Sequence, residues 1–338
     1  MKVAFDGRPV SDPNGVGRYT RCLLKALRET AAAGDEVIET HHPTSTLRAG
    51  DPDLVHSPWI AGAMLHPPCP LVVTIHDLAT LKRPSEHLRT GLRLRLRHLA
   101  VQRAACVIAP TEAVAQDAVT HLRIERERTL VIAEAADTAM YPRTPKEIAN
   151  VRDRLGVPER YLLWVGGLQD PQAARQLAKF AATPRELPLV LAGPTGPWAR
   201  ELPDVKLTGQ VADDDLAALY SGAHALVLPS DHEGFGLPAV EALACGTPVV
   251  ACEVPALREV LGERATFVPP GDMSALIVAA ERATRPAPPP LRWSWEDAAR
   301  ATWEVYARAI APAPSARPRP RGRGVCRQPG GPAGLEPR

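Results

Sequence analysis

The sequence predicts an α/β protein made of two successive domains, each built on a doubly wound parallel sheet. Uninterrupted apolar runs such as 71–75 and 225–228 are typical of parallel strands that are buried on both faces. Helical patterns lie between several of these runs, and the alternation restarts at 161–165 after Pro and Gly interrupt it at 140–156. The chain has 338 residues, which is enough for two cores, because single domains usually have about 100–150 residues.

In the first domain, strands are expected at 3–5, 37–38, 53–56, 71–75, 106–108 and 130–132, and helices at 17–30, 86–104 and 112–122. Thr111 and Glu112 suit the start of the third helix, because a threonine oxygen can cap a helix and an acidic residue favours its first turn. The periodicity is interrupted at 140–156, so this domain is expected to span residues 1–150.

The second domain is expected to span residues 151–290. Its strands are predicted at 161–165, 189–191, 205–207, 225–228, 248–250 and 266–268, and its helices at 172–182, 213–222, 238–245 and 272–284. A last helix, within 291–310, is expected to pack back toward the first domain. Residues 311–338 are rich in Pro, Arg and Gly with scarcely any apolar residues, so a disordered tail is expected there.

Composition excludes several classes of protein. Apolar residues make up 45% and charged residues 23%, which is ordinary for a soluble globular chain. No apolar run approaches the roughly 20 residues of a membrane-spanning helix, and the N-terminus breaks into charge too early for a signal peptide, so a cytoplasmic location is expected. A formal charge of +2 with only 4% aromatic residues does not favour nucleic-acid binding.

Two groups of residues have both a structural and a functional interpretation. The chain has 6 cysteines without C-x-x-C or metal-ligand spacing, so buried reduced thiols are expected: Cys22, Cys69, Cys106, Cys245, Cys252 and Cys326. The run 213–215 is three consecutive aspartates at a predicted helix start, where the helix dipole favours acidic residues. A metal-binding cluster is the alternative interpretation of the same run.

The segment 229–250 carries the pattern most informative about chemistry. A strand ends at Leu228, a loop with two glycines follows, and Pro238 suits the first turn of a new helix. Gly234 and Gly236 would leave backbone amides bare beside the positive end of that helix, which predicts an anion site suited to a diphosphate. The carboxylates of Glu233 and Glu241 are better suited to accept hydrogen bonds from ribose and sugar hydroxyls.

This segment resembles the E-x7-E signature of the retaining glycosyltransferases of family 4, with Glu233 and Glu241 as its two acids. Three other stretches resemble the same family: 6–20 its first strand and glycine loop, 75–78 its His-Asp motif, and 161–168 the strand that opens its second domain. The resemblance covers residues 1–310. It implies the GT-B fold, in which two Rossmann-like domains face each other across a cleft, the first on the acceptor side and the second binding the donor.

The resemblance also implies an activity and residue roles. The expected reaction transfers a hexose, with mannose a candidate, from a nucleotide-diphosphate sugar to a hydroxyl acceptor in a glycan, a glycolipid or a metabolite. It needs no metal, and the nucleotide sugar is a substrate rather than a cofactor. His76 and Glu233 are the catalytic candidates. The donor-binding candidates are Gly15, Gly17, Gly234, Phe235, Gly236, Leu237, Glu241 and Arg175.

The sequence departs from the family at the diphosphate. An Arg and a Lys of the family correspond to Pro171 and Gln172 here, and a lost charge-assisted contact costs about 1.5–3 kcal/mol. Arg175 or Arg18 are candidates to replace them. The departure keeps open a non-catalytic GT-B protein that binds a sugar nucleotide or a partner glycosyltransferase, and a nucleotide-sugar epimerase is a further alternative.

Residues 89–103 form a basic, leucine-rich helical segment. In related enzymes such a helix can rest on an anionic membrane and present a lipid-linked acceptor, so peripheral contact with the inner membrane face is one interpretation. A surface helix with solvated arginines and inward-facing leucines is the other. The sequence does not determine the base and sugar of the donor, the acceptor or the oligomeric state.

Overall fold

The computed structural model describes residues 1–41, 52–78, 91–167, 171–194 and 196–311. Within these residues the chain forms two six-stranded sheets, and all strand pairs in both sheets are parallel. This is the predicted architecture of two Rossmann-like α/β domains. The tail 312–338 and the helix start predicted at 86–90 lie outside the described residues.

The first sheet has the order β2-β1-β3-β4-β5-β6. Its strands are β1 Lys2–Asp6, β2 Glu36–Thr40, β3 Leu54–Ser57, β4 Leu71–Thr74, β5 Cys106–Ala109 and β6 Thr129–Val131. The helices of this half are α1 Gly15–Thr30, α2 Gly91–Gln102 and α3 Glu112–Leu122. Thr111 caps α3 as predicted, since its side chain accepts a hydrogen bond from the backbone N–H of Val114.

The second sheet has the order β12-β11-β10-β7-β8-β9. Its strands are β7 Leu162–Val165, β8 Leu189–Ala192, β9 Val205–Gly209, β10 Ala225–Leu228, β11 Val249–Cys252 and β12 Ala265–Val268. The helices that follow the first sheet are α4 Pro145–Leu155, α5 Pro171–Ala182, α6 Asp213–Gly222, α7 Leu237–Ala244, α8 Pro255–Leu261, α9 Met273–Glu281 and α10 Trp295–Ile310. Every predicted strand of both sheets is present, with ends that agree within two residues.

The strand order places a crevice in each sheet. In the second sheet the chain adds β8 and β9 on one side of β7 and then returns to add β10, β11 and β12 on the other side. Loops that leave β7 and β10 therefore diverge at their carboxyl ends, where open α/β sheets bind ligands. In the first sheet the same reversal falls between β1 and β3.

The joint between the halves contains a helix that the sequence analysis missed. Thr144 and Glu147 form a capping box, Pro145 occupies the first turn, and Gly156 ends α4 in the left-handed region at φ 60°. These are strong local helix signals. The periodicity of apolar residues does not reveal this helix, because Pro and Gly interrupt it at both ends of a helix only 11 residues long.

The last helix packs on the first half of the chain. Trp303 of α10 donates from Nε1 to the hydroxyl of Thr30 at 3.3 Å, and the Tyr306 hydroxyl lies 2.6 Å from Nδ1 of His56. The other ring nitrogen of His56 lies 2.9 Å from Oγ1 of Thr74. Burial lowers the pKa of His56 to about 3, so this imidazole is neutral and links α10 to the centre of the first sheet.

The three aspartates at the start of α6 each face a different arginine. Asp213 pairs with Arg18 at 2.5 Å, Asp214 with Arg143 at 2.8 Å and Asp215 with Arg154 at 2.5 Å. The acidic helix start predicted from the sequence is therefore confirmed. Because the carboxylates point to separate guanidinium groups, they do not converge on one point, and the described residues contain no cluster of metal-ligating side chains.

Cysteines and apolar segments follow the expectations from composition. Four of the described cysteines are buried, Cys69 is half-buried, and all five are free thiols; Cys326 lies outside the described residues. In the described part of the chain, no helix combines the length and apolar character needed to span a bilayer.

Candidate functional site

One cleft lies between the two halves, at the carboxyl edge of the second sheet. Its walls come from the ends of β7, β8 and β9, the first turns of α6 and α7, and the first turn of α1 from the other half. The residues that line it are Pro13, Asn14, Gly15, Arg18, Arg21, Val165, Gly166, Ala192, Gly193, Pro194, Gln210, Val211, Asp213, Leu216, Leu237, Pro238 and Glu241.

Two helices begin at this cleft and point their amino ends into it. Helix α7 starts where the chain turns sharply after β10: Gly236 adopts φ 88°, and Pro238 lies in the first turn. Leu237 and Pro238 line the cleft, and Gly15, the first residue of α1, lines it from the opposite side. Unpaired N–H groups and the dipole at each helix start favour an anion.

The two glycines after Glu233 serve packing in this structure and do not line the cleft. A Cβ on Gly234 would lie 1.8 Å from the carbonyl oxygen of His76, so the two halves approach backbone to backbone there. A Cβ on Gly236 would lie 2.4 Å from a methyl group of Leu257. Neither position has room for a side chain, because backbone or side chains of neighbouring elements lie where a Cβ would be. The expectation that the two glycines present their backbone amides to a ligand stays a prediction.

Among the other residues predicted to bind the donor, some line the cleft and some do not. Gly15, Leu237 and Glu241 line the cleft. Gly17, in the first turn of α1, is buried against the preceding loop, where a Cβ would lie 1.9 Å from the carbonyl oxygen of Asp12.

The aromatic ring of Phe235 is buried, and Phe235 is not among the residues that line the cleft. It is 4% exposed and packs on Trp293, with ring centroids 5.8 Å apart. Its contribution at this position is therefore to the contact between the loop before α7 and the segment that leads into α10.

Glu241 is the buried acid of the cleft. It is 2% exposed, and its Oε2 accepts a hydrogen bond from the Tyr220 hydroxyl at 3.0 Å. Nε of Arg18 lies 3.1 Å from Oε1, yet its N–H does not point at that oxygen, so Oε1 has no hydrogen-bond donor among the described residues. Burial raises the pKa of Glu241 to about 7, against the opposing effects of Arg18 and Tyr220.

Arg18 bridges the two halves across this cleft. Its guanidinium contacts Asp213 at 2.5 Å, Glu241 at 3.1 Å and, more loosely, Asp137 at 3.7 Å. The sequence analysis named Arg18 only as a candidate substitute, and it missed the contribution of Asp213. Its position one turn after Gly15 in the glycine loop was the available signal, because a side chain there lies beside the helix start.

Glu233 does not share a cavity with Glu241. It lines a separate space of about 420 Å³, between α3 of the first half and the start of α8, together with His232 and Asp117. The loop before α7 separates the two acids, since Gly234 is pressed against the first half. The E-x7-E spacing therefore places one acid in the cleft beside the helix starts and the other in an adjoining cavity.

His76 follows β4 at the carboxyl edge of the first sheet, as predicted, but both its ring nitrogens contact protein acceptors. Nε2 lies 2.8 Å from the carbonyl oxygen of Pro58, and Nδ1 lies 3.2 Å from Oε1 of Glu134. Burial lowers the pKa of His76, but Glu134 and Pro58 outweigh it and the net shift is upward. The geometry therefore favours an imidazolium, with the backbone carbonyl rather than the ring directed at Gly234.

Arg175 lies on the exposed face of α5 and is not among the residues that line the cleft. The side chains of Pro171 and Gln172, and residues 168–170, lie outside the described part of the chain. In the described part, Arg18 and Arg21 are the cationic side chains that line the cleft.

Helix α2 exposes leucines together with arginines. Leu96 is 40% exposed and Leu99 46% exposed, and Arg95 and Arg97 beside them are exposed as well. The leucines at these two positions do not pack inward, in contrast to the surface-helix alternative. Residues 89 and 90 of the predicted membrane-contacting segment lie outside the described residues.

Two family models match adjoining parts of the chain. The model described as "Glycosyltransferase Family 4" matches residues 40–140, and the model described as "Glycosyl transferases group 1" matches residues 159–285. The first match falls on the half that contains His76, and the second on the half that contains Glu233 and Glu241.

Curated relatives and solved structures agree with these matches. O-antigen chain mannosyltransferase B of Escherichia coli is 27% identical over 224 residues, which are 61% of this chain and 58% of that protein. The chain thus spans less than two thirds of that relative. The MMP alpha-(1->4)-mannosyltransferase of Mycolicibacterium hassiacum is 29% identical over 298 residues, 78% of this chain and 72% of that protein. The structure of Anabaena HepE in complex with UDP-glucose superposes with a TM-score of 0.66 at 21% identity, covering 91% of this chain and 95% of that one.

Proposed function

Because the chain belongs to family 4 of the glycosyltransferases and has the GT-B fold, we propose that it transfers a hexose from a nucleotide-diphosphate sugar to a hydroxyl acceptor with retention of anomeric configuration. Relatives named as mannosyltransferases support mannose as the hexose. The acceptor is a glycan, a lipid-linked sugar or a small metabolite.

The observation that carries this proposal is the state of Glu241. A carboxylate oxygen that is almost completely buried, and that lacks a hydrogen-bond donor, is costly unless a ligand supplies one. Ribose hydroxyls are such donors, whereas phosphate oxygens are only acceptors. Glu241 therefore binds the ribose of the donor, one turn beyond the start of α7.

The diphosphate fits between the starts of α1 and α7. Gly15 and Leu237 line opposite sides of the same cleft, and no Cβ obstructs the approach at Gly15. Helix dipoles and amide donors from both sides would stabilise the negative charge that develops on the leaving diphosphate. Protein groups alone perform this task in our proposal, without a metal ion.

The transferred sugar lies toward Glu233 and His76. Glu233 lies in the loop before α7, four residues ahead of Leu237, which lines the cleft, and the carbonyl of His76 lies against the same loop at Gly234. Glu233 accepts hydrogen bonds from hydroxyls of the sugar, and His76 acts through its backbone carbonyl near the reacting carbon. The acceptor attacks from the face that the diphosphate leaves, and a diphosphate oxygen takes its proton.

A panel of sugar nucleotides tests the proposal directly. The purified chain is incubated with GDP- and UDP-sugars and several hydroxyl acceptors while nucleotide release is followed, beside calorimetric titrations of GDP and UDP. Nucleotide release that depends on the acceptor supports the transferase. Binding of a nucleoside diphosphate without release with any acceptor would favour the non-catalytic GT-B protein, for which the Pro171 and Gln172 positions are the sequence argument.

A further inference from the structure

We propose that Arg18 is the cation that binds the donor diphosphate, and that in the empty cleft its guanidinium occupies the position of the ribose beside Glu241. The inference rests on the proposed function and assigns a residue to its least explained part, the missing Arg and Lys. It makes Arg18 a binding residue with two positions rather than a fixed ion-pair partner.

Arg18 lies where its side chain can reach a diphosphate held between the starts of α1 and α7. Arg18 lies one turn into α1, and it lines the cleft into which α1 and α7 begin. Its backbone is therefore close to the backbone N–H of Gly15, on the wall opposite Leu237. From this backbone position, a change of side-chain rotamers moves the guanidinium along the cleft without any change in the fold.

The open volume of the cleft is small while the Arg18 side chain lies across it. The unfilled part of the cleft measures about 110 Å³, whereas pockets for ligands of this size are roughly 300–1,000 Å³. Arg18 is only 14% exposed and stretches across the cleft to Asp213 and Glu241. The guanidinium takes up space in the cleft beside Glu241. In our proposal Arg18 therefore moves along the cleft when the donor binds.

The charges around Arg18 favour an exchange of partners when a diphosphate binds. Three carboxylates surround the guanidinium in the empty cleft, those of Asp137, Asp213 and Glu241. A ribose hydroxyl would give Oε1 of Glu241 the hydrogen bond that the misaligned Nε of Arg18 does not give it. The diphosphate, which arrives with the ribose, offers Arg18 oxygens that suit its planar fork better than this contact does.

The exchange explains how the chain manages without the usual pair. Pro171 and Gln172 carry no charge, and the exposed Arg175 does not line the cleft. Arg18 supplies positive charge from the opposite wall, on α1 instead of α5. The donor site is then complete only when both halves are close together, since Arg18 and Glu241 belong to different halves.

The experiment compares nucleoside and nucleoside diphosphate binding in four proteins: wild type, Arg18→Ala, Arg18→Gln and the control Arg28→Ala. Arg28 lies on the same helix and pairs with Glu39 at 2.9 Å, outside the donor cleft. Calorimetry gives Kd for guanosine, uridine, GDP and UDP. We expect both Arg18 variants to bind the preferred diphosphate about 10–150-fold more weakly, the effect of one charge-assisted hydrogen bond. Their nucleoside affinity should stay within about 3-fold of wild type or improve, because Glu241 is vacated.

The ratio of the two dissociation constants separates the possible results. A variant that loses nucleoside and diphosphate binding alike has a damaged site, and this result in both Arg18 variants overturns the assignment, as does wild-type diphosphate affinity in both. Weak diphosphate binding by Arg28→Ala also overturns it, because the effect would then not depend on position. If the wild type binds none of the nucleoside diphosphates, the proposed function itself fails and this inference with it.

Discussion

The carboxylate of Glu259, in α8, lies on the first turn of α3, where Oε1 accepts a hydrogen bond from the backbone N–H of Glu112 at 2.7 Å. Its Oε2 accepts a second one from the backbone N–H of Ala113 at 3.0 Å. Beside this pair, the Thr111 hydroxyl donates to the carbonyl of Gly234 at 3.0 Å. A carboxylate of the second half therefore satisfies orphan donors at a helix start of the first half, and these contacts join the two halves.

Replacing Glu259 is expected to loosen the two halves. Glu259→Ala removes two charge-assisted hydrogen bonds, each reduced by solvent exposure, so we expect a loss of about 1 kcal/mol and a larger radius of gyration without ligand. Small-angle scattering and urea unfolding measure the two quantities. Glu253→Ala is the matched control, because among the described residues the Glu253 carboxylate pairs with Arg258 of its own half, at 2.7 Å. Identical scattering curves for wild type and Glu259→Ala would contradict the interpretation.

The two acids of the signature are expected to affect different kinetic constants. Glu241→Ala should mainly weaken nucleotide binding, because the buried oxygen that receives ribose hydroxyls is lost. Glu233→Ala should abolish turnover and leave Kd for the nucleoside diphosphate nearly unchanged, since Glu233 lies in the adjoining cavity. Steady-state kinetics with saturating donor, beside calorimetry, distinguish the two. Wild-type activity in both variants would show that the site is elsewhere.

The sequence predicts the helix start that forms part of the site, but it does not predict the contacts between the two halves. The break after Leu228 and Pro238 in a first turn predicted the start of α7 within one residue. The sequence predicts that Gly234 presents its backbone amide to a ligand, but it does not predict that the missing side chain makes room for the carbonyl of His76. No pattern within one segment reveals that contact, because the two residues come from different halves.

The ion pair between Arg18 and Asp213 also joins the two halves, so the sequence does not predict it. Asp213 was predicted as a favourable helix start, which needs only its own segment, and this is confirmed. Its pairing with Arg18 joins positions that are 195 residues apart in sequence. Ion pairs carry no periodicity, so sequence reasoning could name Arg18 as a candidate but could not place it between Asp213 and Glu241.

The pH dependence of stability should reveal the buried Glu241. Its pKa is about 7 in the folded protein, raised by burial from 4.5, so between these values the folded state binds more protons than the unfolded state. The free energy of unfolding therefore falls as pH rises through this window. Glu241→Gln removes the titrating group, and its stability relative to wild type should rise between pH 5 and 8, by on the order of 1–3 kcal/mol.

Urea unfolding at the two pH values checks this, with Glu304→Gln on the exposed side of α10 as the control. A difference between Glu241→Gln and wild type that stays constant with pH would show that Glu241 does not titrate in this range. Such a result would leave Arg18 as a stronger partner of Glu241 than the ion-pair geometry indicates.

His76 and Glu134 form a second pair with a testable charge state. Glu134→Gln should lower the pKa of His76, because the carboxylate is the main cause of its upward shift after burial is overcome. Because the pKa of His76 is higher in the folded than in the unfolded protein, the pairing with Glu134 stabilises the protein fully at pH values below the unfolded-state pKa. This stabilisation is lost as the pH rises through the folded-state pKa. The variant should therefore be less stable than wild type at pH 6, with a smaller difference at pH 9.

Imidazole resonances in NMR spectra give the pKa of His76 in each protein, and His76→Asn identifies them. An unchanged pKa in Glu134→Gln would mean that the Pro58 carbonyl alone holds the proton on the ring.

Membrane contact through α2 predicts a defined dependence on lipid charge and on two leucines. Leu96 and Leu99 are exposed beside Arg95 and Arg97, so a bilayer would cover apolar surface and neutralise cations at once. We expect the wild type to float with vesicles that contain anionic lipid, and to do so less at high salt. Leu96→Ser with Leu99→Ser should lower the vesicle affinity by roughly 10-fold or more, since each leucine buries part of a side chain worth about 1.5–3 kcal/mol. Val278→Ser, at an equally exposed site on α9, serves as the control. If none of the three substitutions changes the fraction of protein that floats with the vesicles, the two leucines lie on a helix surface that does not touch lipid.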